Sequence, residues 1–364
     1  MSIEVLVELS RHYGSNSDFV IAGGGNTSLK DSDTLYVKGS GMALAEVVPE
    51  TFVRMDRKLL RRIWGKTYPG ESVAREQEVL EDLLAARKAG EEKKRPSVET
   101  MLHDLLPFEY VVHLHPALVN GLTCSQQGET AMKEIFRGEA LWIPSSNPGY
   151  VLSQKVKSAL DEYTAENHKP AAIIFLQNHG IFVGAGSAEG IKEKYRDIME
   201  RIDKRVKRRP DFSGETSEVP GKLLSAIEEL SGGRAAFLCN REIAALVRDN
   251  PSFYPVSSAF TPDHIVYAGS DPLFVQEATL QGAWKDHLNK FGRVPKVMAV
   301  QGLGVFGIGS TEKNAALALK LFRDAVKVAV FSESFGGPRF MSRDQIDFIN
   351  GWKAEAFRSN VSTK

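Results

Sequence analysis

Cysteine is scarce in this sequence. The 364 residues include only two, Cys124 and Cys239, which are far apart in the chain. Two cysteines provide no disulfide framework, and in a chain of this size that fits a reducing compartment. No window provides the run of about 18 apolar residues that a membrane span needs. The amino terminus, MSIEVLVELSRHYG, lacks the basic head and long apolar run of a signal peptide. We therefore expect a cytoplasmic protein with no membrane partner.

A net charge of either sign is also absent. Forty-six basic residues balance forty-six acidic ones, and the formal net charge is +0. Because proteins that bind nucleic acids usually carry an excess of basic residues, this balance predicts no nucleic-acid partner. One basic run, KRVKRR, occurs at residues 204–209. We interpret it as a solvated helix end rather than a polyanion site, since basic side chains are favoured there.

Short apolar runs alternate with helical patterns along the chain. Helical spacing occurs at residues 3–13, at Glu71–Lys88 and from about Ser187 to Lys207. Strand-like runs occur at Thr34–Val37, Tyr110–Leu114 and Ala171–Leu176, and a loop is predicted to begin in the Gly-rich stretch Ile21–Lys30. This alternation predicts a layered α/β or α+β fold.

A chain of this length is expected to form two domains. The segment from residue 204 to residue 220 is charged and then rich in Pro, Gly and Ser, which is typical of a linker. We place the first domain at residues 1–210, the linker at residues 211–220 and the second domain at residues 221–364.

Three histidines follow two of the predicted strands. His113 and His115 are two residues apart at the end of an apolar strand, so their side chains project to the same face. His179 also follows a buried strand, and Gly180 lets the backbone approach closely. A His-x-His pair alone is as often solvated or packed in a core. Three imidazoles that leave a fourth position open are the arrangement expected of a catalytic zinc site.

A carboxylate precedes the strand that carries the first two histidines. In Arg95–Thr100 (RPSVET), Pro96 and Ser97 suit the start of a helix, where Glu99 is favoured by the helix dipole. Glu99 can hold that position and also shuttle a proton beside a Lewis-acid metal. His103 lies one helical turn later, and we predict that it packs or supports a ligand instead of binding the metal itself.

Two loops of small residues complete the pattern, Gly23–Ser28 (GGGNTS) and Lys38–Gly41 (KGSG). Their glycines expose backbone N–H groups, hydroxyls such as that of Thr27 add donors, and Lys38 adds a cation. These are the components of an anion-binding nest. Ordinary tight turns use the same residues, so the sequence leaves both interpretations open.

Together these motifs resemble the class II aldolase/adducin superfamily, which includes L-fuculose- and L-rhamnulose-phosphate aldolases and L-ribulose-5-phosphate 4-epimerase. The matching pieces follow the family's order across residues 21–207: GGGNTS (23–28), KGSG (38–41), RPSVET (95–100), HLHP (113–116), IPSSNPG (143–149) and QNHG (177–180). Val98 departs from the fuculose-phosphate enzymes, which carry a second serine there.

The resemblance implies a three-layer α/β/α fold and a divalent metal, zinc by preference. It implies that His113, His115 and His179 hold the metal and that Glu99 is the catalytic acid/base. It further implies a substrate phosphate lined by Asn26, Ser40, Gly41 and Ser97, with Lys38 and Thr27 as additional candidates.

The activity implied by the resemblance is retro-aldol cleavage of a ketose 1-phosphate to dihydroxyacetone phosphate and an aldehyde, in a homo-oligomer. An epimerase, a dehydratase or a decarboxylase would use the same site, although the epimerases usually carry Asp at the position of Glu99. A non-catalytic adducin-like binding module is an alternative of another class. The retention of all three histidines disfavours it.

The second half contains a segment similar to one in the first. Gln177–Glu189 and Gln301–Glu312 align with a one-residue gap and seven identities, and Thr34–Gly41 resembles His264–Asp271. We interpret residues 221–364 as a diverged copy of the first domain. Leu303 stands where the first half has His179, and the second half contains no His-x-His, so the copy is predicted to lack the metal.

The carboxy-terminal region also resembles larger proteins. TPDHIVYAG (261–269) and FINGWKAEAF (348–357) are similar to the middle segment of bifunctional rhamnulose-phosphate aldolase/dehydrogenases, which continue into a short-chain dehydrogenase. Residues 302–307 (GLGVFG) fit the dinucleotide pattern G-x-G-x-x-G. We expect no NAD binding, because only 57 residues follow Gly307 and its glycines align with a strand-to-strand turn of the first half.

Overall fold

The computed structural model describes residues 2–219, 221–354, 357 and 361. Its larger sheet belongs to the first half of the chain and has the strand order β3-β2-β1-β4-β7-β6-β5. Neighbouring strands are antiparallel except for the parallel pair β5 and β6. The strands are β1 (Asn26–Lys30), β2 (Thr34–Lys38), β3 (Phe52–Asp56), β4 (Tyr110–Leu114), β5 (Leu141–Ile143), β6 (Ile173–Leu176) and β7 (Gly180–Ala185).

Helices cover both faces of this sheet. They are α1 (Ile3–Gly14), α2 (Arg57–Ile63), α3 (Ser72–Ala85), α4 (Thr100–Leu105), α5 (Ala117–Thr123), α6 (Gly128–Phe136), α7 (Tyr150–Asn167) and α8 (Ala188–Asp203). Val112 of β4 packs in one apolar cluster with α1, α5, α6 and α8, and its neighbour Val111 packs in another with α4 and α7. Successive residues of a strand face opposite sides, so an unbroken apolar run fits a strand buried on both. The predicted three-layer α/β/α fold is confirmed.

The second half forms a smaller sheet of order β8-β11-β10-β9. Its strands are β8 (Arg234–Leu238), β9 (Leu273–Val275), β10 (Val297–Val300) and β11 (Gly304–Gly309). Its helices are α9 (Gly221–Ser231), α10 (Arg241–Leu246), α11 (Asn250–Phe253), α12 (Leu280–Phe291), α13 (Glu312–Ser332) and α14 (Arg343–Gly351). A turn of π-helix, His264–Ala268, precedes β9.

The smaller sheet repeats four strands of the larger one. Strand order and directions agree between β4-β7-β6-β5 and β8-β11-β10-β9, including the single parallel pair in each set. Strands β4, β6 and β7 each begin 124 residues before β8, β10 and β11. Ser187 caps the helix after β7, as Thr311 caps the helix after β11. The two cap residues are also 124 positions apart, so the structural correspondence requires no gap in the alignment of the two segments. These correspondences support the interpretation of the second half as a diverged copy.

One part of the predicted repeat is wrong. Thr34–Gly41 contains strand β2 and the turn after it, whereas the segment resembling it begins with the π-helix His264–Ala268. Strand β2 is fixed by hydrogen bonds to β1 and β3 on its two sides. The π-helix instead packs against α13. A short apolar run suits either environment, and its neighbours decide which structure it adopts.

Other local predictions are confirmed or corrected by the pairing of strands. The predicted strand Tyr110–Leu114 is β4, and residues 3–13 lie in α1. The stretch Ile21–Lys30 is not a loop throughout, because its second half is β1, paired between β2 and β4. Residues 302 and 303 lie in the turn between the antiparallel strands β10 and β11, and residues 304–307 belong to β11, so a strand-to-helix dinucleotide turn is not formed there.

The two halves share an apolar core. One cluster of buried side chains extends from α1, α5 and α8 of the first half to α13 of the second. Helix α13 packs directly on α5, which follows the strand carrying His113. The second half is therefore close enough to the predicted metal site to contribute to it, while the boundaries at residues 210 and 220 stay a prediction. No helix in the described part of the chain is both long and apolar enough to cross a membrane.

Candidate metal centre

The three histidines converge where β4 ends and β7 begins. These strands are antiparallel neighbours, with His113 opposite Phe182, so the residues after β4 meet the turn before β7. The donor nitrogens of His113, His115 and His179 all lie within 4.8 Å of one another, and all three side chains are buried. The pair Nε2 of His113 and Nε2 of His115 is 2.9 Å apart. This buried cluster can bind one divalent metal ion.

The turn before β7 has a backbone shaped for this approach. Asn178 adopts a left-handed conformation with a φ of 57°, which asparagine tolerates better than most residues. A Cβ at Gly180 would lie 2.5 Å from the carbonyl oxygen of Leu114 and 2.6 Å from Cδ2 of His115. Any side chain at position 180 would therefore push the turn away from β4 and separate the histidines.

Hydrogen bonds orient two of the rings. Nδ1 of His113 donates to the carbonyl oxygen of Ile181 over 3.0 Å, and its ring stacks on Phe182 at 4.1 Å between centroids. Nδ1 of His115 is 2.5 Å from Oδ2 of Asp263. A proton held at Nδ1 by an acceptor leaves Nε2 with its lone pair, which is the form that binds a metal.

Glu99, the residue immediately before α4, faces the same centre. Its Oε1 lies 3.3 Å from Nε2 of His113 and 3.4 Å from Nε2 of His179. Its Oε2 accepts a hydrogen bond of 2.6 Å from Nδ2 of Asn26. Burial raises the pKa of the Glu99 carboxyl, but the three neighbouring histidines outweigh burial and hold that pKa well below its ordinary value. The group is therefore a carboxylate near neutral pH.

The residues fit a metal of the predicted kind. Oε1 of Glu99 is buried and accepts no hydrogen bond from the described residues, although it faces two imidazole nitrogens. Leaving a buried carboxylate oxygen unpaired is costly, and a cation between it and the rings would remove that cost. Imidazole and carboxylate donors in this number suit zinc and other first-row divalent ions.

A small cavity beside the histidines collects five of the six residues predicted for the phosphate. It is lined by Asn26, Lys38, Ser40, Gly41 and Ser97, together with Glu99, His115 and His179. Lys38 is buried, and its Nζ donates to the carbonyl oxygens of Gly23 and Met42 over 3.3 and 2.5 Å. Its ammonium group therefore lies between the two Gly-rich loops.

Thr27 is the exception. Along β1 it faces the side opposite to Asn26, where its Oγ1 is 2.7 Å from Oγ of Ser10 on α1. The alternation of side chains along the strand separates these neighbours. The structure thus places Thr27 in the helix-covered core and away from the cavity.

The second half also reaches this site. Pro262 and Ala354 line the cavity, and Asp263 contacts His115. Our sequence reasoning missed Asp263, although the segment TPDHIVYAG that contains it was singled out for its family resemblance. No local pattern indicates the contact, because the two residues are 148 positions apart.

The comparison with known families agrees with this geometry. Residues 4–198 match the family model described as the Class II Aldolase and Adducin N-terminal domain. The chain belongs to this family. The class II aldolase/adducin domain accounts for more than half of the chain and includes the three histidines and Glu99. Asp263 lies beyond it.

Several proteins are similar to this chain. A protein of Bacillus subtilis (strain 168) named "Uncharacterized oxidoreductase YuxG" is 21% identical over 418 residues, and the match covers 99% of this chain and 58% of that protein. The N-terminal class II aldolase domain of a conserved protein from Thermoplasma acidophilum is 25% identical, with a TM-score of 0.47, over 56% of this chain and 93% of that one. An L-fuculose 1-phosphate aldolase from Glaciozyma antarctica PI12 is 14% identical, with a TM-score of 0.36, over 56% and 71% of the two chains.

The second half of this class II aldolase/adducin chain has other residues at the metal-binding positions. At the offset of 124 residues, Phe237, Cys239 and Leu303 stand in place of His113, His115 and His179. Phe237 lies opposite Phe306, as His113 lies opposite Phe182. Phenylalanine and leucine offer no donor atom, so the repeated sheet cannot hold a metal with the same three ligands.

His103 packs as predicted. Its Nδ1 lies 2.7 Å from Oγ of Ser28, and its ring contacts Phe182 at 5.4 Å between centroids. It is fully buried, and burial lowers the pKa of its imidazole to about 3. The ring is therefore neutral in the folded protein, and it supports the wall of the site without binding the metal.

This burial predicts a pH-dependent loss of stability. The unfolded chain protonates this imidazole near pH 6.5 and the folded chain only near pH 3, so the unfolded state binds the extra proton between these values. His103 should therefore reduce the free energy of unfolding by about 1.4 kcal/mol per pH unit as the pH falls through this window. Urea unfolding of the metal-free wild type and His103→Gln at pH 8, 5.5 and 4.5 measures it, with the exposed His12→Gln as control. Parallel pH curves for wild type and His103→Gln would contradict the assignment.

Proposed function

We propose that this protein is a metal-dependent lyase that cleaves a ketose 1-phosphate to dihydroxyacetone phosphate and an aldehyde, with zinc as its metal. The proposal depends on one observation, the convergence of three buried imidazoles and the Glu99 carboxylate beside a cavity lined by Lys38 and by hydroxyl-bearing and small residues. Membership of the class II aldolase/adducin family supports it.

The metal has a single chemical task in this proposal. Held by His113, His115 and His179, it would act as a Lewis acid toward the C2 carbonyl and C3 hydroxyl oxygens of the ketose. His115 and His179 line the cavity, so the ketose would approach the metal from that side.

Glu99 would act as the general acid/base. When the C3–C4 bond breaks, the C4 hydroxyl loses a proton and the bonding electrons pass to the dihydroxyacetone phosphate fragment, whose C3 must then gain a proton. Oε1 of Glu99 faces the histidines while Oε2 accepts the hydrogen bond from Asn26, so the carboxylate is held in place beside the site where the ketose would bind. A positioned carboxylate of this kind is an effective acid/base.

The Gly-rich loops would bind the phosphate. Ser40 and Ser97 provide hydroxyls, Gly41 provides a backbone N–H in a turn with a φ of 83°, and Lys38 provides a buried cation. Because these residues line the same cavity as Glu99, His115 and His179, phosphate binding there would orient the reacting carbons, which is how contacts away from the reacting atoms contribute to catalysis. Asn26 is engaged by Glu99, so its part in phosphate binding would be secondary.

The test is an assay of purified, zinc-loaded protein with rhamnulose 1-phosphate and fuculose 1-phosphate. We expect stoichiometric dihydroxyacetone phosphate and lactaldehyde, and a much lower rate with the free ketoses, since these lack the phosphate. The absence of aldehyde from both phosphates would refute this substrate class. An epimeric sugar phosphate without aldehyde would indicate an epimerase, and release of water would indicate a dehydratase. A decarboxylase would leave both ketose phosphates unchanged, since neither carries a carboxylate.

A further inference from the structure

A carboxylate of the second half contacts the candidate metal centre. Asp263 belongs to the repeated half of the chain, outside the matched family domain, yet its Oδ2 lies 2.5 Å from Nδ1 of His115. Both side chains are buried, with 6% and 7% of their surfaces exposed. A charged hydrogen bond this deeply buried has a strong influence on the orientation of the ring.

We propose that Asp263 is a positioning residue of the metal centre, which orients His115 so that its Nε2 faces the metal. This inference rests on the proposed metal dependence. A carboxylate that accepts the Nδ1–H of a histidine fixes the ring and its tautomer, and it makes the opposite nitrogen a better donor. His113 receives the equivalent support from a backbone carbonyl of its own sheet, at Ile181. The two rings are thus held by the two different halves of the chain.

Hydrogen bonds fix the segment that carries Asp263 next to the turn that carries His179. Nδ2 of Asn178 donates to the carbonyl oxygens of Phe260 and Arg339 over 3.1 and 2.7 Å. The Sγ of Cys124, at the end of α5, also reaches the carbonyl oxygen of Phe260, at 3.6 Å. The backbone three residues before Asp263 is therefore attached to the metal-binding half.

The first Gly-rich loop leaves space for this carboxylate. A Cβ placed on Gly24 would lie 2.6 Å from Oδ2 of Asp263, closer than such atoms approach. Gly24 does not have a positive φ, so its backbone would accept alanine. The absence of a side chain at position 24 therefore allows Asp263 to approach His115. This is a second role of the loop, in addition to exposing N–H groups.

The inference gives the second half a role. Phe237, Cys239 and Leu303 replace the histidines in its own sheet, while Asp263, the residue before its π-helix, contacts His115 of the first half. The copy thus contributes to the first metal site in place of forming a second one. Its contributions are the carboxylate behind His115 and, through Pro262, part of the cavity wall.

Zinc affinity of the full-length protein tests the inference, measured by competition with a chromogenic chelator. We expect Asp263→Asn to bind zinc about 10–100-fold more weakly than the wild type. The visible spectrum of the cobalt-loaded protein should change in the same variant, because the orientation of one ligand changes. Asp324→Asn is the matched control: it removes a buried carboxylate 3.1 Å from His264, which is not a metal ligand, and zinc affinity should stay within about threefold.

The outcomes separate the two proposals. Wild-type protein that takes up no metal would overturn the metal-dependent function and this inference with it. Wild-type zinc affinity and an unchanged cobalt spectrum in Asp263→Asn would overturn the inference alone. If Asp263→Asn does not fold, zinc affinity is measured in Gly24→Ala instead. This substitution displaces the Asp263 carboxylate without changing its chemistry. A folded Gly24→Ala protein with wild-type zinc affinity would refute the inference.

Discussion

The His179→Leu protein should fold and yet bind zinc on the order of 10²–10³-fold more weakly than the wild type. Four-ligand structural zinc sites bind with roughly 10–16 kcal/mol, which assigns about 2.5–4 kcal/mol to each ligand, and leucine offers no donor atom. His113 and His115 would be left with Glu99, since the described part of the chain places no other imidazole in this cluster. Lyase activity should fall in parallel when zinc is not in excess. Metal content after dialysis and zinc affinity measure the change.

The structure explains why leucine is the substitution to choose. Leu303 occupies the equivalent turn between β10 and β11, which has the same strand directions as the turn holding His179. A leucine is thus compatible with this type of hairpin, and the free energy of unfolding of the metal-free protein should change by only about 1 kcal/mol.

The reciprocal change is the control. Leu303→His places an imidazole in the repeated hairpin, where Phe237 offers no donor and Cys239 is the remaining equivalent position. We expect the same metal content as in the wild type. A His179→Leu protein that retains wild-type zinc affinity would show that the three imidazoles do not act together.

The convergence of the three histidines could be predicted from the sequence because each depends on local signals. Tyr110–Leu114 is apolar on both faces, so the run predicts a buried strand and the spacing of His113 and His115 places two rings on one side. The turn at His179 follows a similar run. Each of these signals extends over only about ten residues of sequence. The antiparallel pairing of β4 with β7 then brings the three histidines together.

The strand β1 shows where local signals fail. Its sequence, NTSLK, is polar and gives little indication of a strand, yet all five residues are buried between β2 and β4. Partners remote in sequence satisfy its side chains: Ser10 pairs with Thr27, and His103 pairs with Ser28. The stabilisation comes from the completed sheet. Asp263 is a similar case, since its partner lies in the other half of the chain.

The Glu99→Gln protein should bind zinc and substrate and yet turn over 10²–10⁴-fold more slowly. Glutamine has the shape of glutamate and can still accept the hydrogen bond from Asn26, but it cannot exchange a proton. The Michaelis constant should change by no more than a few-fold, because the phosphate contacts are unaltered. Steady-state kinetics with the active ketose phosphate measure this effect.

Hydrogen exchange isolates the proton transfer itself. Wild-type protein incubated with dihydroxyacetone phosphate in D₂O should replace one C3 hydrogen with deuterium, which NMR detects, and Glu99→Gln should not. The matched control is Glu76→Gln on α3, where another buried carboxylate accepts a hydrogen bond of 3.1 Å from the Tyr150 N–H. Exchange in Glu99→Gln at the wild-type rate would mean that a different group moves the proton.

Zinc affinity decides between two possible roles of this carboxylate. Oε1 of Glu99 lies within 3.4 Å of two metal-binding nitrogens, so it can also contribute to holding the ion. If Glu99 only moves protons, Glu99→Gln should keep the wild-type zinc affinity while exchange is lost. If it is also a ligand in the resting protein, affinity should fall as well, and saturating zinc should restore metal content without restoring exchange. In both cases the lost exchange, measured at full metal occupancy, assigns the proton transfer to this residue.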